Sequence, residues 1–450
     1  MRKKKNKLKK MIPLALTLGL LLTGCGGTKE GTDPVSGKTE NVSSFKADVV
    51  NLAEGVTVNE KELIDVPVTD VQCSAMSRGA VQLLLKSMEL GEKGTNYLLS
   101  PVSLEMAFGM LVTGAEEGSE TEKEIMELFM PGEKATQDEL NGEMATLGRR
   151  MKKTDGVDWN VANSIWVKKD GGVKLKESYI SDAVNYYQAE LYSAPFDQST
   201  VDEINGWVKK NTKERIPSIL NSLDDQTALV LVNALAFDGT WMNSIEDNKV
   251  KENSTFTNVD GTESKVSMMQ TMEKGYVQIA GGKGFLKPYE GGNYSFFGLL
   301  PPENMTAEEY LAKVLSDKKS LSEAIKERDY EPELDVEFPE FKVEYGADMN
   351  ELLRAMGAEK MFGTGAEFGK MITEDSERIS VDQVVHRTMI DVNRKGTKAA
   401  AATAIAATEA ALPEAGPKVI EIHLNRPFVY GIIDMYTGLP VFLGVQNTMK

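Results

Sequence analysis

The chain reads as an α+β fold, and three observations predict it. Apolar residues at helical spacing lead the folded part. Alternating or continuous β-branched runs dominate its end. The two kinds do not take turns regularly, as they would around a parallel α/β sheet. Hydrophobic content of 41% and charged content of 26% are ordinary for a globular protein, and 450 residues accommodate one large domain.

The first element is an address. "MRKKKNKLKKMIPLALTLGLLLTGCGG" places seven cations before an apolar stretch from Met11 to Leu22, too short to span a bilayer permanently. Its end, Leu22-Thr23-Gly24-Cys25, resembles a bacterial lipobox. That resemblance implies a lipoprotein signal peptide over residues 1–24, cleavage before Cys25 and a diacylglyceryl group on that thiol. Two acyl chains hold a protein stably on a membrane. Residues 25–69 read as a flexible tether, rich in Gly, Ser, Thr and charge at first. Phe45 to Pro67 carries scattered apolar residues, which fit either a longer tether or packing on the domain. The folded domain is expected over 70–450.

Val71 to Leu90 reads as a helix, with Val81, Leu83, Leu84, Leu85 and Met88 apolar. Ser100-Pro101 is a helix entry, an N-cap serine followed by a first-turn proline. Leu104, Ala107, Phe108 and Leu111 then predict a one-sided apolar helix. Thr227–Phe237 and Tyr294–Pro302 are nearly continuous apolar runs, suited to strands covered on both faces. Leu334–Tyr345 alternates and predicts one half-exposed strand. Asn350–Phe362 predicts a helix ended by Gly363. The tail gives strands joined by a turn at Thr437-Gly438.

Composition excludes several chemistries. The formal charge is −17, and removal of the seven N-terminal cations takes it to −24. Such a surface repels phosphate backbones, so nucleic acid is not an expected partner. Two cysteines, Cys25 and Cys73, build no disulfide framework. Two histidines, His386 and His423, stand 37 residues apart, without HExxH, CxxC, GxSxG or a P-loop. No cofactor or metal is expected, and a secreted hydrolase finds little here to work with. One stretch resists a bland reading. "KGTKAAAATAIAATEAALPEAG" follows the strand-like "VDQVVHRTMIDVN", is nearly all small, and has no apolar stripe that would pack a helix.

Several segments, in order, resemble the serpins, the serine protease inhibitor superfamily. They are "NYLLSPVSLEMAFGMLVTGAEEGSETEKEI" (Asn96–Ile125, with two extra residues after Gly114), "WNVANSIWV", "INGWVKKNTKERI", "ALVLVNALAFDGTW", "VSMMQ", "EFPEFKVEY", "KGTKAAAATA" and "NRPFVYGIIDMYTGLPVFLGV". The resemblance covers about residue 70 to the end. It implies three β-sheets, about nine helices and an exposed reactive loop. A target protease cuts that loop, which then inserts into the main sheet and traps the acyl-enzyme. Gly396, Thr397, Lys398, Ala399, Ala400, Ala401, Ala402 and Thr403 match the loop hinge. As a strand, Thr397, Ala399, Ala401, Thr403, Ile405 and Ala407 would face inward, all small or apolar. Lys398 falls on the wet face. Lys398 and Arg394 both replace the family's usual glutamate, and a surface charge of either sign is expected to matter little for insertion.

The family's spacing from Gly396 puts the scissile bond at Ala410-Ala411, suited to an elastase-like serine protease; a slip of one would offer Glu409 to a glutamyl-specific one. Asn96, Ser100, Ser103, Asn233 and His386 match a polar cluster under the main sheet, and Trp241 matches the point of loop entry. The expected protein is a monomeric suicide-substrate inhibitor of extracellular serine proteases, cysteine proteases being further candidates. It is expected outside the cytoplasm, lipid-anchored to the bacterial cell membrane. The alternative is a non-inhibitory member acting as a binding or chaperone module.

Overall fold

In the computed structural model, residues 48–58, 64–152, 154–224, 226–397 and 418–450 are described. They belong to a unit spanning Phe45–Lys450. Among them are nine α-helices: α1 (Asp70–Leu90), α2 (Pro101–Gly114), α3 (Glu120–Phe129), α4 (Gln137–Lys152), α5 (Glu177–Tyr187), α6 (Gln198–Asn211), α7 (Ala307–Ser316), α8 (Leu321–Lys326) and α9 (Asn350–Ala355). The main sheet has seven strands in the order β1 (Val50–Asn51), β4 (Glu190–Ala194), β3 (Val157–Lys168), β5 (Leu229–Thr240), β14 (Gly396–Thr397), β13 (Gln383–Asn393) and β12 (Phe341–Asp348). The second sheet has six: β2 (Tyr97–Leu99), β17 (Pro440–Gln446), β16 (Phe428–Asp434), β10 (Tyr294–Leu300), β9 (Gly282–Pro288) and β8 (Val277–Ile279). The third has four: β15 (Val419–His423), β11 (Glu333–Pro339), β7 (Glu263–Glu273) and β6 (Val250–Thr257).

Local chemistry starts these elements where the sequence says. Thr69 and Gln72 form a capping box ahead of α1. Ser100 caps α2 by accepting from the Ser103 backbone N–H, and Pro101 fills the first turn. From Leu229 to Phe237, β5 is apolar on both faces but for Asn233, because helices and the second sheet cover one side and α6 covers the other. The outer cluster joins Val201, Ile204, Trp207 and Val208 of α6 to Val230, Val232, Val385 and Met389 of the sheet.

Four expectations need correction. The helix predicted as one-sided, α2, is buried at all fourteen positions, because it runs beneath the main sheet among other helices. Period alone cannot separate a stripe from a wholly buried helix. The single strand predicted over Leu334–Tyr345 is two, β11 and β12, and they join different sheets across Pro339-Glu340. Proline has no N–H to continue a ladder, so the chain changes sheets there. The helix predicted over Asn350–Phe362 stops at Ala355; Gly357 turns it at φ +103 before a short 3₁₀ turn over Lys360–Phe362. The tether does not extend to residue 69. Val50 and Asn51 pair with Ser193 and Tyr192 at the edge of the main sheet, and Val66 donates its N–H to Thr146 of α4. Signal peptide, Cys25 and the first part of the tether lie outside the described residues.

Candidate functional site

The seam between β5 and β13 is the unusual feature of the main sheet. The two strands pair in parallel from Gln383↔Val230 to Met389↔Ala236. Above that point β14 stands between them, antiparallel to both: Thr397 faces Val392 on one side and Gly239 on the other. Thus the first two hinge residues already occupy the top of a slot that is closed below. Thr397 is fully buried, and its Oγ1 shares a 2.6 Å hydrogen bond with the Tyr289 hydroxyl. Gly396 has φ +151, and a Cβ there would collide with the Gly239 carbonyl, so a larger residue is strained at this point. The other hinge residues, Lys398 to Thr403, and the Ala410-Ala411 bond lie outside the described residues.

Trp241 closes the upper end. It is 2% exposed, stacks on Tyr289 at 4.5 Å between ring centroids, and donates from Nε1 to the Asn393 carbonyl at 2.9 Å. Its own backbone N–H bonds to the Lys395 carbonyl. The backbone carbonyl that ends β13 is therefore held by the ring next to it. Lys287 lies beneath this ring, 1% exposed, neutralised by Glu273 at 2.6 Å.

Arg394 answers how the base of the loop is held. Its guanidinium forks onto Glu340, Nε to Oε1 at 2.8 Å and Nη2 to Oε2 at 3.0 Å. It also reaches Asp247 at 3.0 Å and Glu252 at 3.4 Å. Burial pushes the Glu340 carboxyl up, but the hydrogen bonds and charge of Arg394 outweigh it and hold it below the usual carboxylate range. The expected anion is replaced by a cation, and anions surround it.

Lower in the seam sits the polar cluster. His386 and Asn233 are register partners across it, one on each strand. The His386 Nδ1 donates to Asn233 Oδ1 at 2.5 Å, and Nε2 accepts from the Ser100 backbone N–H at 3.2 Å. Only a neutral ring protonated at Nδ1 satisfies both contacts. Burial agrees, lowering the His386 pKa to about 3. Asn233 Nδ2 donates to Ser103 Oγ at 2.6 Å and to Asn163 Oδ1 at 2.5 Å. Ser100 Oγ donates to the Val441 carbonyl of the second sheet.

Four of the five residues expected in this cluster meet; Asn96 does not. Its carboxamide ties the C-terminus, donating to the Thr448 carbonyl at 2.9 Å and accepting from the Asn447 and Thr448 N–H groups. Asn96 is separated from Ser100 by the extended β2, and four extended residues span about 13 Å. Sequence reasoning missed Asn163 of β3, whose only signal is a polar side chain amid "WNVANSIWV" at an inward position. His423 lies on β15, away from the seam. No group of three or more His, Cys, Asp or Glu side chains suited to a metal occurs among the described residues, and none of their helices is long and apolar enough to cross a membrane.

Comparison with known proteins matches this architecture. Residues 76–448 match the model of the serpin (serine protease inhibitor) family. An uncharacterized serpin-like protein of Methanosarcina acetivorans is 30% identical over 355 residues, covering 78% of this chain and 80% of its own. Alaserpin of Manduca sexta is 30% identical, covering 78% and 87%. The crystal structure of the thermophilic serpin tengpin in its native state superposes with a TM-score of 0.80 at 31% identity, over 90% of this chain and all of tengpin's. Tengpin in its latent state gives 0.71 at 28% identity, over 86% and all of its chain.

Proposed function

The chain belongs to the serpin family, and from that premise we propose that it is a suicide-substrate inhibitor of extracellular serine proteases with elastase-like preference. The register of β14 is the observation that carries this reading. An antiparallel strand has begun to separate two strands that otherwise pair in parallel. Completing it would exchange one parallel ladder for two antiparallel ones, which are slightly better per residue and add bonds to the inserted chain itself. Were the strand to continue in the register of Thr397, the sixth residue on, Thr403, would come level with both Asn233 and His386 on the inward face. Its hydroxyl both donates and accepts, so it suits a place between them once their direct bond is broken. The other inward residues are small or apolar, in keeping with a low barrier to insertion.

Cleavage at Ala410-Ala411 by a protease with a shallow primary pocket would release the insertion. Incubation of the purified chain with pancreatic elastase, followed by a denaturing gel, tests it. A covalent band of summed mass is the expected outcome. Cleavage without that band returns the non-inhibitory alternative, and a released peptide beginning before Thr408 overturns the position of the bond. Membrane attachment through Cys25 is part of the same proposal, supported by the lipobox-like end of the signal. Cys25→Ser should abolish incorporation of labelled palmitate and release the protein from the membrane fraction.

A further inference from the structure

We propose that Glu105 of α2 and Glu143 of α4 form a proton-operated clamp: one shared proton fastens α4 to the helix layer, and its loss in mild alkali loosens α4 and the strand β3 that follows it. Both carboxyls sit in a dry place. Glu105 is 4% exposed, on a helix buried at every position, and Glu143 is 2% exposed. Each has one oxygen, Oε2, that is buried and without a hydrogen-bond partner among the described residues. Glu105 also lines a cavity of about 10 Å³, against Met76, Phe108, Phe129 and Leu140. That is room for one water at most, and the other side chains around it are apolar.

No cation among the described residues acts on either carboxyl. Burial, and then the charge of Glu143, push Glu105 well above the ordinary carboxylate range. Burial raises Glu143 to about 7, opposed by the Gln72 carboxamide of α1 and helped by Glu139 one turn earlier on α4. The cations of the surrounding elements have other partners. Lys326 holds Asp70, Arg149 holds Asp65, Arg150 holds Asp434, and Lys370 donates to Gln137. The remaining titratable neighbours stay neutral near pH 7: burial pushes the Cys73 thiol of α1 up to about 11 and the Tyr187 hydroxyl of α5 above its usual range. From α3 the cavity receives only Ile125, Met126 and Phe129.

Two carboxylates that act on one another in a dry interior do not both ionise. A proton held by Glu105 and donated toward Glu143 gives both free oxygens a partner, and it leaves one negative charge in place of two. The pair then titrates as a unit. The polar tie beside it does not titrate near neutrality: Thr113 Oγ1 and the Tyr187 hydroxyl both donate to Asn141 Oδ1, at 2.7 and 2.6 Å. Once α4 opens, its glutamate and Glu105 are solvated and hold no proton at neutral pH. The closed pair holds one, so opening becomes easier as pH rises. The effect reaches the main sheet because α4 ends at Lys152 and β3 begins at Val157, carrying Asn163 to Asn233 of β5.

The test uses the intact full chain and does not depend on loop insertion. Amide hydrogen exchange, corrected for its intrinsic pH dependence, is read in α4, β3 and α6. The infrared stretch of protonated carboxyls is read in heavy water near neutral pH. In wild type, opening of α4 and β3 should grow about tenfold per pH unit between about pH 7 and 8.5, with α6 unchanged. Glu105→Gln keeps a donor toward Glu143 but has no proton to lose. Its α4 should open equally across that range, and one protonated-carboxyl band of wild type should be missing from its spectrum. Wild-type exchange in α4 that is flat with pH, or that rises equally in α6, overturns the clamp. So does a slope that survives Glu105→Gln, or a wild-type spectrum without the band. If Glu105→Gln does not fold, the wild-type exchange and band decide by themselves.

Discussion

The middle and the top of the seam are held by opposite kinds of chemistry. In the middle, His386, Asn233, Ser100, Ser103 and Asn163 are buried, neutral and mutually hydrogen-bonded. At the top, Arg394 is fixed near the surface by three carboxylates, and Asp238 by Arg215. Neutral groups that both donate and accept can change partners without exposing a charge to a dry interior. Ion pairs near water release at small cost, and salt weakens them. If the loop inserts as proposed, the sheet opens from the top and reseals in the middle, and each kind of group stands where its physics serves.

The largest effect should come from the middle. Asn233→Ala removes the acceptor of His386 and the donor to Ser103, leaving both buried and short of partners. Intact protein should lose about 2–4 kcal/mol in thermal or urea unfolding, with little dependence on salt. An unchanged melting curve would show that the cluster does not hold the strands.

Next comes Arg394→Glu, which sets a fourth carboxylate among Glu340, Asp247 and Glu252. A loss of about 1–2 kcal/mol is expected at low ionic strength. Most of it should vanish in molar salt, and Glu340→Lys in the same chain should recover it. A salt-independent loss would make the top no different from the middle.

The smallest separates the two by pH. Folded His386 has its pKa depressed to about 3, so between there and the unfolded value near 6.5 the unfolded chain binds more protons. Its contribution is present above 6.5 and is lost as pH falls through that window, by about 1 kcal/mol at pH 5.5. Glu143 of α4 opposes it. Burial raises that carboxyl to about 7, so its contribution is present below its ordinary value and is lost as pH rises toward 7. Because the two partly cancel in a melting curve, the ring itself is the better probe. Nitrogen NMR should show His386 neutral, with its proton on Nδ1, at pH 5.5. A ring that gains a second proton near pH 6.5 would place it in a wetter site than the seam provides.

Elements set by near neighbours in the chain were legible in the sequence. The Ser100 cap, the Pro101 entry, the doubly covered strands and the turn at Gly438 each depend on a few adjacent residues. The resemblance supplied the three sheets and four of five cluster members. Asn163 and Asn96 were misjudged because partnership in a sheet depends on which strands lie side by side, and no spacing along the chain encodes that.

The amino-acid sequence by itself determined where helices and strands begin, how acidic the surface is, and that the hinge is small enough to enter a sheet. Only the tertiary structure decided that Leu334–Tyr345 divides between two sheets, that residues 50–51 extend the main sheet, and that His386 and Asn233 stand opposite one another across the seam. The physical reason is that propensity and capping act over one turn or a few residues. Strand pairing across the seam joins positions more than 150 residues apart, and it exists only once the strands are laid beside one another.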